Sequence, residues 1–255
     1  GAIAFTDGVV PIMNAELLSK ALQYVQKFKG LVISRPRDLS LSRGGQMHEG
    51  SVSTSLGLVG ISSLSEKVMI ERDLSILAYT GGRLHIHGIS TFESVALIAK
   101  AKKSGLAVTC DVILHQLCYS DDHLSSFDPF YKVDPPLRTD KDIQALKNGL
   151  ANGTIDALSI DHLPQDEESK ILEFDLAAFG MIGLQTAFSS LLSLASKELP
   201  LDMLLEKLSN GPREVLKLPK INIEEGEFAK LTLLDAHLKW QYNEESNISK
   251  SNNSP

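Results

Sequence analysis

Short apolar runs alternate with amphipathic stretches along most of this sequence, and that alternation restricts the fold more than any other feature. The runs are too short for helices and contain β-branched or aromatic residues, as buried parallel strands do. Five such runs occur, at residues 2–5, 31–34, 84–87, 107–112 and 155–160. Between them, apolar residues recur at helical spacing in Asn14 to Phe28, Thr91 to Ser104 and Asp140 to Leu150. The pattern predicts a parallel sheet with helices packed outside it.

The number of predicted strands limits the architecture. A closed (β/α)8 barrel has eight parallel strands, whereas only five runs are found here. The chain starts within an apolar, strand-like run at Gly1 and ends in a polar segment from Asn243 to Pro255. We therefore expect an arc of such a barrel, in a chain that is truncated at both ends.

Composition excludes several classes of protein. The formal net charge of -7 provides no basic surface for nucleic acid, and no apolar run approaches the ~20 residues of a membrane span. Two cysteines, Cys110 and Cys118, are too few for a disulfide framework and fit the reducing cytoplasm. We therefore expect a cytoplasmic protein whose partners include neither nucleic acid nor a membrane.

One acidic residue follows the last predicted strand at a position that suits catalysis. Asp161 lies in the segment from Ser159 to Gln165, with the sequence SIDHLPQ. Barrel enzymes place catalytic groups at the C-terminal ends of their strands, and a carboxylate there can accept a proton from an attacking water. The residues alone also allow a second interpretation, in which Asp161 caps the following turn.

Four motifs, taken in order, resemble those of dihydroorotases, the type I cyclic amidases of pyrimidine synthesis in the amidohydrolase superfamily. They are Leu84 to Thr91 (LHIHGIST), Val133 to Arg138 (VDPPLR), Ser159 to Gln165 (SIDHLPQ) and Ala178 to Thr186 (AFGMIGLQT). The resemblance extends over nearly the whole chain. It implies the C-terminal part of a (β/α)8 TIM-like barrel with a remnant of a small β domain, and it favours Asp161 as the catalytic base.

The resemblance also implies a division of the chain into three parts. Residues 1–218 are expected to form a partial amidohydrolase barrel, residues 219–242 the start of a returning β domain, and residues 243–255 a polar, mobile tail. In the family, an Asp-x-His-x-His motif on the first barrel strand binds a pair of zinc ions. That motif does not occur in this chain, and one hypothesis places it in a segment before Gly1.

Two positions that hold histidine ligands in the family carry other residues here, Arg35 and Gly88. An arginine cannot ligate a metal ion, because it keeps its proton. Its guanidinium either takes the place of the metal's charge or lies on the surface. For the bridging aspartate of the family, a gapless alignment gives Gly8 and a one-residue gap gives Asp7, and both remain open. We expect no metal ligand and no cofactor in this chain, although the family uses zinc.

His85 and His87 lie two residues apart and therefore share one face of the predicted strand. A His-x-His pair on a barrel strand is typical of a metal site. The family's ligand, however, is one residue later, on the opposite face. The register thus favours packed, hydrogen-bonded histidines over a metal pair.

The substrate-binding positions also depart from the family. Asp134 stands where the family has an asparagine that bonds the pyrimidine ring, and Gln165 stands where a histidine meets the substrate carboxylate. A charge at Asp134 would repel an acidic substrate unless the carboxyl is protonated. The backbone groups of Phe179 and Gly180 could still hold a ring, although this segment also fits a simple entry into a helix.

The resemblance implies a hydrolase that interconverts N-carbamoyl-aspartate and dihydroorotate, with activity that is weakened or absent in this chain. Its ligand would then be a small-molecule substrate or an analogue of it. Two alternatives remain: a non-catalytic homologue that assembles with aspartate transcarbamoylase, and a binding protein for a small ring. We expect a homo-oligomer, and whether the chain is an enzyme stays open.

Overall fold

A parallel sheet of five strands forms the centre of the computed structural model, which describes all 255 residues. The structure has seven strands, five in this central sheet and two in a separate pair. In chain order they are β1 (Phe5–Thr6), β2 (Val32–Ser34), β3 (Met47–His48), β4 (Gly60–Ile61), β5 (Leu84–Ile86), β6 (Val108–Ile113) and β7 (Ala157–Ser159). The central sheet has the order β1-β2-β5-β6-β7, and every neighbouring pair is parallel. The five predicted strands and their parallel arrangement as an open arc are confirmed, although four of the strands are shorter than the apolar runs.

Ten helices accompany the strands. They are α1 (Ala15–Val25), α2 (Ser51–Leu56), α3 (Ser63–Thr80), α4 (Phe92–Lys103), α5 (His115–Cys118), α6 (Asp140–Ala151), α7 (Glu167–Lys170), α8 (Ala187–Leu194), α9 (Leu201–Leu208) and α10 (Asn210–Val215). The three predicted helices correspond to α1, α4 and α6. Side chains cap their N-termini: Asn14 accepts from the backbone of Leu17 at 3.0 Å, and Thr91 from that of Ser94 at 3.2 Å. None of the helices is long and apolar enough to span a membrane.

The longest helix, α3, was not predicted from the sequence. Its buried face includes two acidic residues, Glu66 and Asp73, which are 2% and 0% exposed. These residues interrupt the apolar stripe by which an amphipathic helix is recognised. The short strands β3 and β4 were also missed, because two residues are too few to show an alternating pattern. They pair with each other, Met47 with Gly60 and His48 with Ile61, outside the central sheet.

One large apolar core lies between the sheet and its outer helices. Its fully buried members come from α1, α3, the strands and α6: Leu18, Leu22, Ile70, Leu84, Ile86, Val112 and Leu146 are each 0% exposed. Burial of each such side chain stabilises the fold by roughly 1.5–3 kcal/mol. Because this core fixes the strands, it also fixes the C-terminal strand ends, where the candidate site residues lie.

The two terminal segments differ in how they pack. Residues 219–242 contain no helix or strand, and Phe228 and Leu233 are 91% and 99% exposed. In contrast, Ser251 and Asn253 are buried, and Asn253 Nδ2 donates to the carbonyl of Leu163 at 2.9 Å. The end of the polar tail therefore packs against the loop that follows β7, while the division into three parts stays a prediction.

Candidate functional site

Arg35, directly after β2, connects the ends of three other segments. Its Nη2 donates to the backbone carbonyl of Asp134 and lies 3.3 Å from Asp161 Oδ2. Its backbone N–H donates to both carboxylate oxygens of Asp7, at 3.2 and 3.3 Å. The Arg35 side chain is only 11% exposed, so Arg35 is not a surface residue. Asp134 and Asp161, both predicted from the sequence, are thus brought together around one guanidinium.

Asp7 supplies a carboxylate to this cluster from the end of β1. The backbone N–H of Ile12 also donates to it, at 3.3 Å. Burial raises the pKa of Asp7, and the hydrogen bonds from Ile12 and Arg35 oppose that rise. Gly8 contributes only backbone, with φ at +67°. Of the two candidates for the bridging position, Asp7 is the one that places a carboxylate beside Arg35.

Asp134 is neutralised by a residue to which sequence analysis gave no role. Arg37 Nη1 lies 2.5 Å from Asp134 Oδ2, and both side chains are partly buried. The Nε atom of Arg37 is buried without a hydrogen-bond partner. The expected repulsion between Asp134 and an acidic ligand is therefore reduced by a neighbouring positive charge. The pair is 97 residues apart in sequence, so no local pattern reveals it.

Asp161 lies immediately beyond β7 in an unusual backbone conformation. Its φ of +49° is in the left-handed region, which aspartate tolerates better than most residues with a side chain. No backbone N–H donates to its carboxylate, whose one hydrogen bond comes from Arg35. Asp161 therefore does not cap the following turn. The next residue, His162, bridges to Met181, and its Nδ1 accepts from the backbone N–H of Gly183 at 3.2 Å.

A buried carboxylate in β6, Asp111, holds both histidines of the His-x-His pair. Its Oδ2 lies 3.0 Å from His85 Nε2 and 2.8 Å from His87 Nδ1. Its Oδ1 accepts from the backbone N–H of Gly88 at 2.9 Å and from Ser159 Oγ at 3.0 Å. Burial raises the pKa of Asp111, but the hydrogen bonds from both histidines outweigh burial and lower it overall. Sequence analysis missed Asp111 because it lies inside an apolar strand.

A second buried carboxylate lies beneath the loop after β5. Glu66 of α3 accepts from the backbone N–H of Ser90 at 2.8 Å and from Ser94 Oγ at 2.6 Å, and Arg138 Nη2 lies 3.6 Å away. Arg138 also donates to His48 Nδ1 at 3.0 Å. Burial, together with the charge of Arg138, lowers the pKa of His48 to about 4. This network joins α3, the loop after β5 and strand β3.

Gln165, Phe179 and Gly180 form a second group of candidate residues. Gln165 Nε2 donates to the carbonyl of Phe179 at 2.7 Å, and the N–H of Gly180 donates to the carbonyl of Lys132 at 2.9 Å. A Cβ at Gly180 would lie 3.0 Å from the Leu163 carbonyl, and φ there is +135°, so the position requires glycine. Two backbone groups considered for ring binding are thus used within the protein, while the N–H of Phe179 makes no hydrogen bond.

Two buried lysines fix the backbone of this group. Lys132 Nζ donates to the carbonyl of Phe174 at 2.7 Å, and Lys170 Nζ to those of Ala178 and Gly180 at 2.9 and 3.1 Å. Burial lowers the pKa of each lysine to about 8. Neither lysine pairs with a carboxylate. Sequence analysis gave them no role, because lysines are almost always exposed.

The candidate residues line separate cavities. Asp134 lines a cavity of about 10 Å³, roughly the space for one water molecule. Gln165 lines a cavity of about 380 Å³ together with residues of the polar tail. His162 lines another of about 360 Å³, and both larger cavities include Asn247. These two cavities therefore lie between the loop after β7 and the tail, and not beside Arg35.

The side chains at the strand ends do not form a set of metal ligands. Arg35 has no lone pair to offer. Gly88 has no side chain. Any other residue at this position would have to adopt a φ of +69°, and its Cβ would lie 3.2 Å from Ile113 Cδ1. His85 uses both ring nitrogens, one with Asp111 and the other with Thr109 Oγ1 at 2.9 Å. No three His, Cys, Asp or Glu side chains are grouped as they are around a metal ion.

Comparison with curated proteins gives matches along the whole chain, although no family model matches. A dihydroorotase from Pelotomaculum thermopropionicum is 43% identical over 258 residues, and one from Caldicellulosiruptor saccharolyticus is 42% identical over 256 residues. Each alignment covers 100% of this chain and 60% of the relative. The chain therefore spans about 60% of the length of the curated relatives that it matches.

Solved structures show the same partial coverage. An L-hydantoinase (dihydropyrimidinase) from Arthrobacter aurescens has a TM-score of 0.73 and 22% identity, covering 85% of this chain and 51% of that one. A D-hydantoinase (dihydropyrimidinase) from Thermus sp. has a TM-score of 0.68 and 17% identity, covering 80% of this chain and 47% of that one. At these identities the likeness concerns the fold, and it agrees with the predicted arc of a barrel, which matches about half of each of those chains.

Proposed function

This chain is a homologue of dihydroorotases over its whole length, and from that premise we propose that the protein binds N-carbamoyl-aspartate and dihydroorotate. We further propose that it interconverts them weakly or not at all. The observation that carries this proposal is the guanidinium of Arg35, which lies between the Asp161 carboxylate and the Asp134 carbonyl. It supplies positive charge where the resemblance implies metal ions. A guanidinium cannot lower the pKa of a bound water as a metal ion does.

We propose that the chain holds no zinc pair and needs no cofactor. Arg35 and Gly88 offer no ligand atoms at two positions where the family has histidines. The backbone conformation at Gly88 disfavours any side chain there. The cavity beside Arg35 is about 10 Å³, which is too small for a pair of metal ions with a bound water.

Asp161 is the residue that we propose as the reacting carboxylate of any remaining activity. For binding, we propose Asp134, Gln165, Phe179 and Gly180, the positions that the resemblance implies. The free N–H of Phe179 supports contact with a ring carbonyl. The unpartnered Nε of Arg37 supports contact with a ligand carboxylate, beside an Asp134 whose charge is already paired.

The test uses the full-length protein, purified without chelators. Elemental analysis is expected to find no zinc pair. Ring opening and ring closure, measured with and without added zinc, are expected to be far slower than the ordinary enzyme range of roughly 1–10³ per second. Two zinc ions per chain, or turnover on the order of 1 per second that is abolished by Asp161→Asn, would contradict the proposal.

Assembly is a separate proposal that rests on the resemblance. We propose a homo-oligomer and, as the alternative role, a complex with aspartate transcarbamoylase. Light scattering after size-exclusion chromatography of the protein, alone and mixed with that enzyme, tests both. A monomer that elutes apart from the enzyme would leave ligand binding as the remaining role.

A further inference from the structure

We propose that His87, held by Asp111, is the proton-transfer group of this site and carries a slow, metal-independent opening and closing of a small cyclic amide. The inference rests on the proposed function, because it assumes the same ligands. It assigns the proton transfer to His87 in place of Asp161, the carboxylate named under the proposed function, and leaves Asp161 as a neighbouring charge. It also gives the His-x-His segment a role other than metal binding.

The hydrogen bond to Asp111 determines which nitrogen of His87 carries a proton. An ionised carboxylate can only accept hydrogen bonds, so Nδ1 of His87 donates to it at 2.8 Å. A neutral His87 therefore presents the lone pair of Nε2. That atom makes no hydrogen bond within the protein, and the side chain is 24% exposed. Enzymes that use histidine as a general base often orient its other ring nitrogen with a third group in this way.

The sheet order places His87 between the two residues of the Arg35–Asp161 pair. The backbone N–H of His87 donates to the carbonyl of Ser34 at 2.9 Å, next to Arg35. Strands β5 and β6 lie between β2 and β7, and Arg35 reaches across that interval to Asp161. His87 therefore lies at the same strand ends as the residues that the resemblance places around the reacting carbonyl.

The charged groups that face His87 come from three neighbouring strands. They are Asp111 on β6, Arg35 beyond β2 and Asp161 beyond β7. Burial lowers the pKa of His87, but the hydrogen bond and charge of Asp111 outweigh burial and raise it overall, with Arg35 opposing and Asp161 adding to the rise. The higher pKa makes Nε2 of His87 a stronger base than an isolated imidazole.

The proposed steps balance without a metal ion or a redox partner. The ring enters by widening the cavity of about 10 Å³ beside Arg35. Water adds to the ring carbonyl carbon, and its proton passes to His87 Nε2. The carbonyl oxygen becomes an oxyanion next to the guanidinium of Arg35, whose Nε and Nη1 make no hydrogen bond within the protein. The ring C–N bond then breaks, the oxygen re-forms a carbonyl, and the departing nitrogen takes the proton from Nε2. One water is consumed, and ring closure is the reverse.

The experiment uses the full-length protein in the presence of a chelator. The protein is in excess over dihydroorotate, so that slow single turnovers can be followed. His87→Gln is expected to lower the first-order rate by about 100-fold or more, the usual contribution of a general base. Calorimetry is expected to give an unchanged affinity for dihydroorotate. His237→Gln, at an exposed position in residues 219–242, is the matched control and should change neither quantity.

The pH profile separates proton transfer from a purely structural role. The wild-type rate is expected to rise with pH as His87 loses its proton. Asp111→Asn should move the midpoint of that rise to lower pH, because it removes the charge that favours the imidazolium form. The same midpoint should appear when the His87 ring of the wild-type protein is titrated by NMR, a measurement that requires no variant to fold.

The possible outcomes distinguish this inference from the proposed function. If dihydroorotate binds but no chelator-resistant turnover is found, or if His87→Gln keeps the wild-type rate, the role of His87 is overturned and the proposed function stands. A mismatch between the kinetic and NMR midpoints also overturns it. Absence of binding overturns both proposals, as does a fast rate that the chelator abolishes.

Discussion

Charged groups are stabilised in opposite ways in two regions of the molecule. One region is the strand ends, and the other is the loop of residues 163–183. At the strand ends arginines face carboxylates: Arg35 lies 3.3 Å from Asp161 Oδ2, and Arg138 is buried against a glutamate. Within the loop, Lys170 donates to three backbone carbonyls and has no anionic partner. One region balances charge against charge, and the other uses charge to hold the backbone.

The comparison shows what each arrangement contributes. Each member of an ion pair stabilises the charged form of the other. Removing one member therefore leaves an uncompensated charge in a poorly solvated site. A lysine bound to carbonyls instead provides hydrogen bonds that a strand or helix would otherwise supply. Residues 163–183 contain only the short helix α7, so their position depends on such side chains. The two regions should therefore respond differently to substitution and to pH.

The largest effect is expected from breaking the buried ion pair. Arg138→Met should lower the free energy of unfolding by about 3–5 kcal/mol, because Glu66 would be left charged and buried. Urea unfolding followed by circular dichroism measures the change, with Arg43→Met at an exposed position as control. A loss no larger than that of the control would mean that the strand ends do not depend on paired charges.

A smaller loss is expected in the loop. Lys170→Met should cost about 2–3 kcal/mol, because buried carbonyls lose their donor while the cost of burying a charge disappears. Hydrogen exchange is expected to rise most at Ala178 and Gly180. Lys197→Met, at an exposed position, is the control. Exchange that increases equally at the strand ends would show that the two regions form one unit.

A modest change is expected for the pair that borders the small cavity. Asp134→Asn should cost about 0.5–1 kcal/mol of stability, because the pair with Arg37 is partly exposed. It should also strengthen dihydroorotate binding by a few fold, because one negative charge near an acidic ligand is removed. Calorimetry of the variant and the wild type decides this, and weaker binding would mean that the contact of the Asp134 carboxylate with the ligand outweighs the repulsion between their charges.

The smallest effect is expected in the pH dependence of stability that the two buried lysines, Lys132 and Lys170, cause. Their folded pKa values of about 8 lie below the ordinary value of 10.5. Above pH 8 the unfolded chain binds more protons at these two lysines than the folded one, so their contribution to the free energy of unfolding should rise with pH. The rise should end where Cys110 and Cys118, whose pKa values burial raises, begin to ionise in the unfolded chain. Lys170→Met should lose part of that rise. Equal slopes in variant and wild type would indicate that Lys170 has an ordinary pKa.

The sequence predicted the fold more completely than the site, for a physical reason. Strands such as Val32–Ser34 and helices such as Phe92–Lys103 are encoded by local apolar periodicity. Helix α3 was missed because Glu66 is buried where an apolar residue is expected. The register of the family motifs identified Arg35 and Asp161 as site positions. The contact between them is a product of the sheet order, which no local pattern contains.

The partners of the site residues were the least predictable feature. Arg37 pairs with Asp134 across 97 residues, and Asp111 binds His87 across 24. The residues next to each of them in the sequence give no sign of the partner. The pairs form only when the fold brings separate strands together. The role of Lys170 was hidden in the same way, because the carbonyls that it binds become available only in the folded loop.

The left-handed backbone at Asp161 has a consequence for engineering. A residue with a Cβ pays roughly 1–2 kcal/mol for that conformation, whereas glycine adopts it freely. Asp161→Gly would thus remove backbone strain, but Arg35 would lose the carboxylate paired with its guanidinium and keep the carbonyl of Asp134. A screen that ranked variants by melting temperature alone would report only the balance of these two effects and nothing of the lost carboxylate, so directed evolution of this scaffold must select for ligand chemistry together with thermal tolerance.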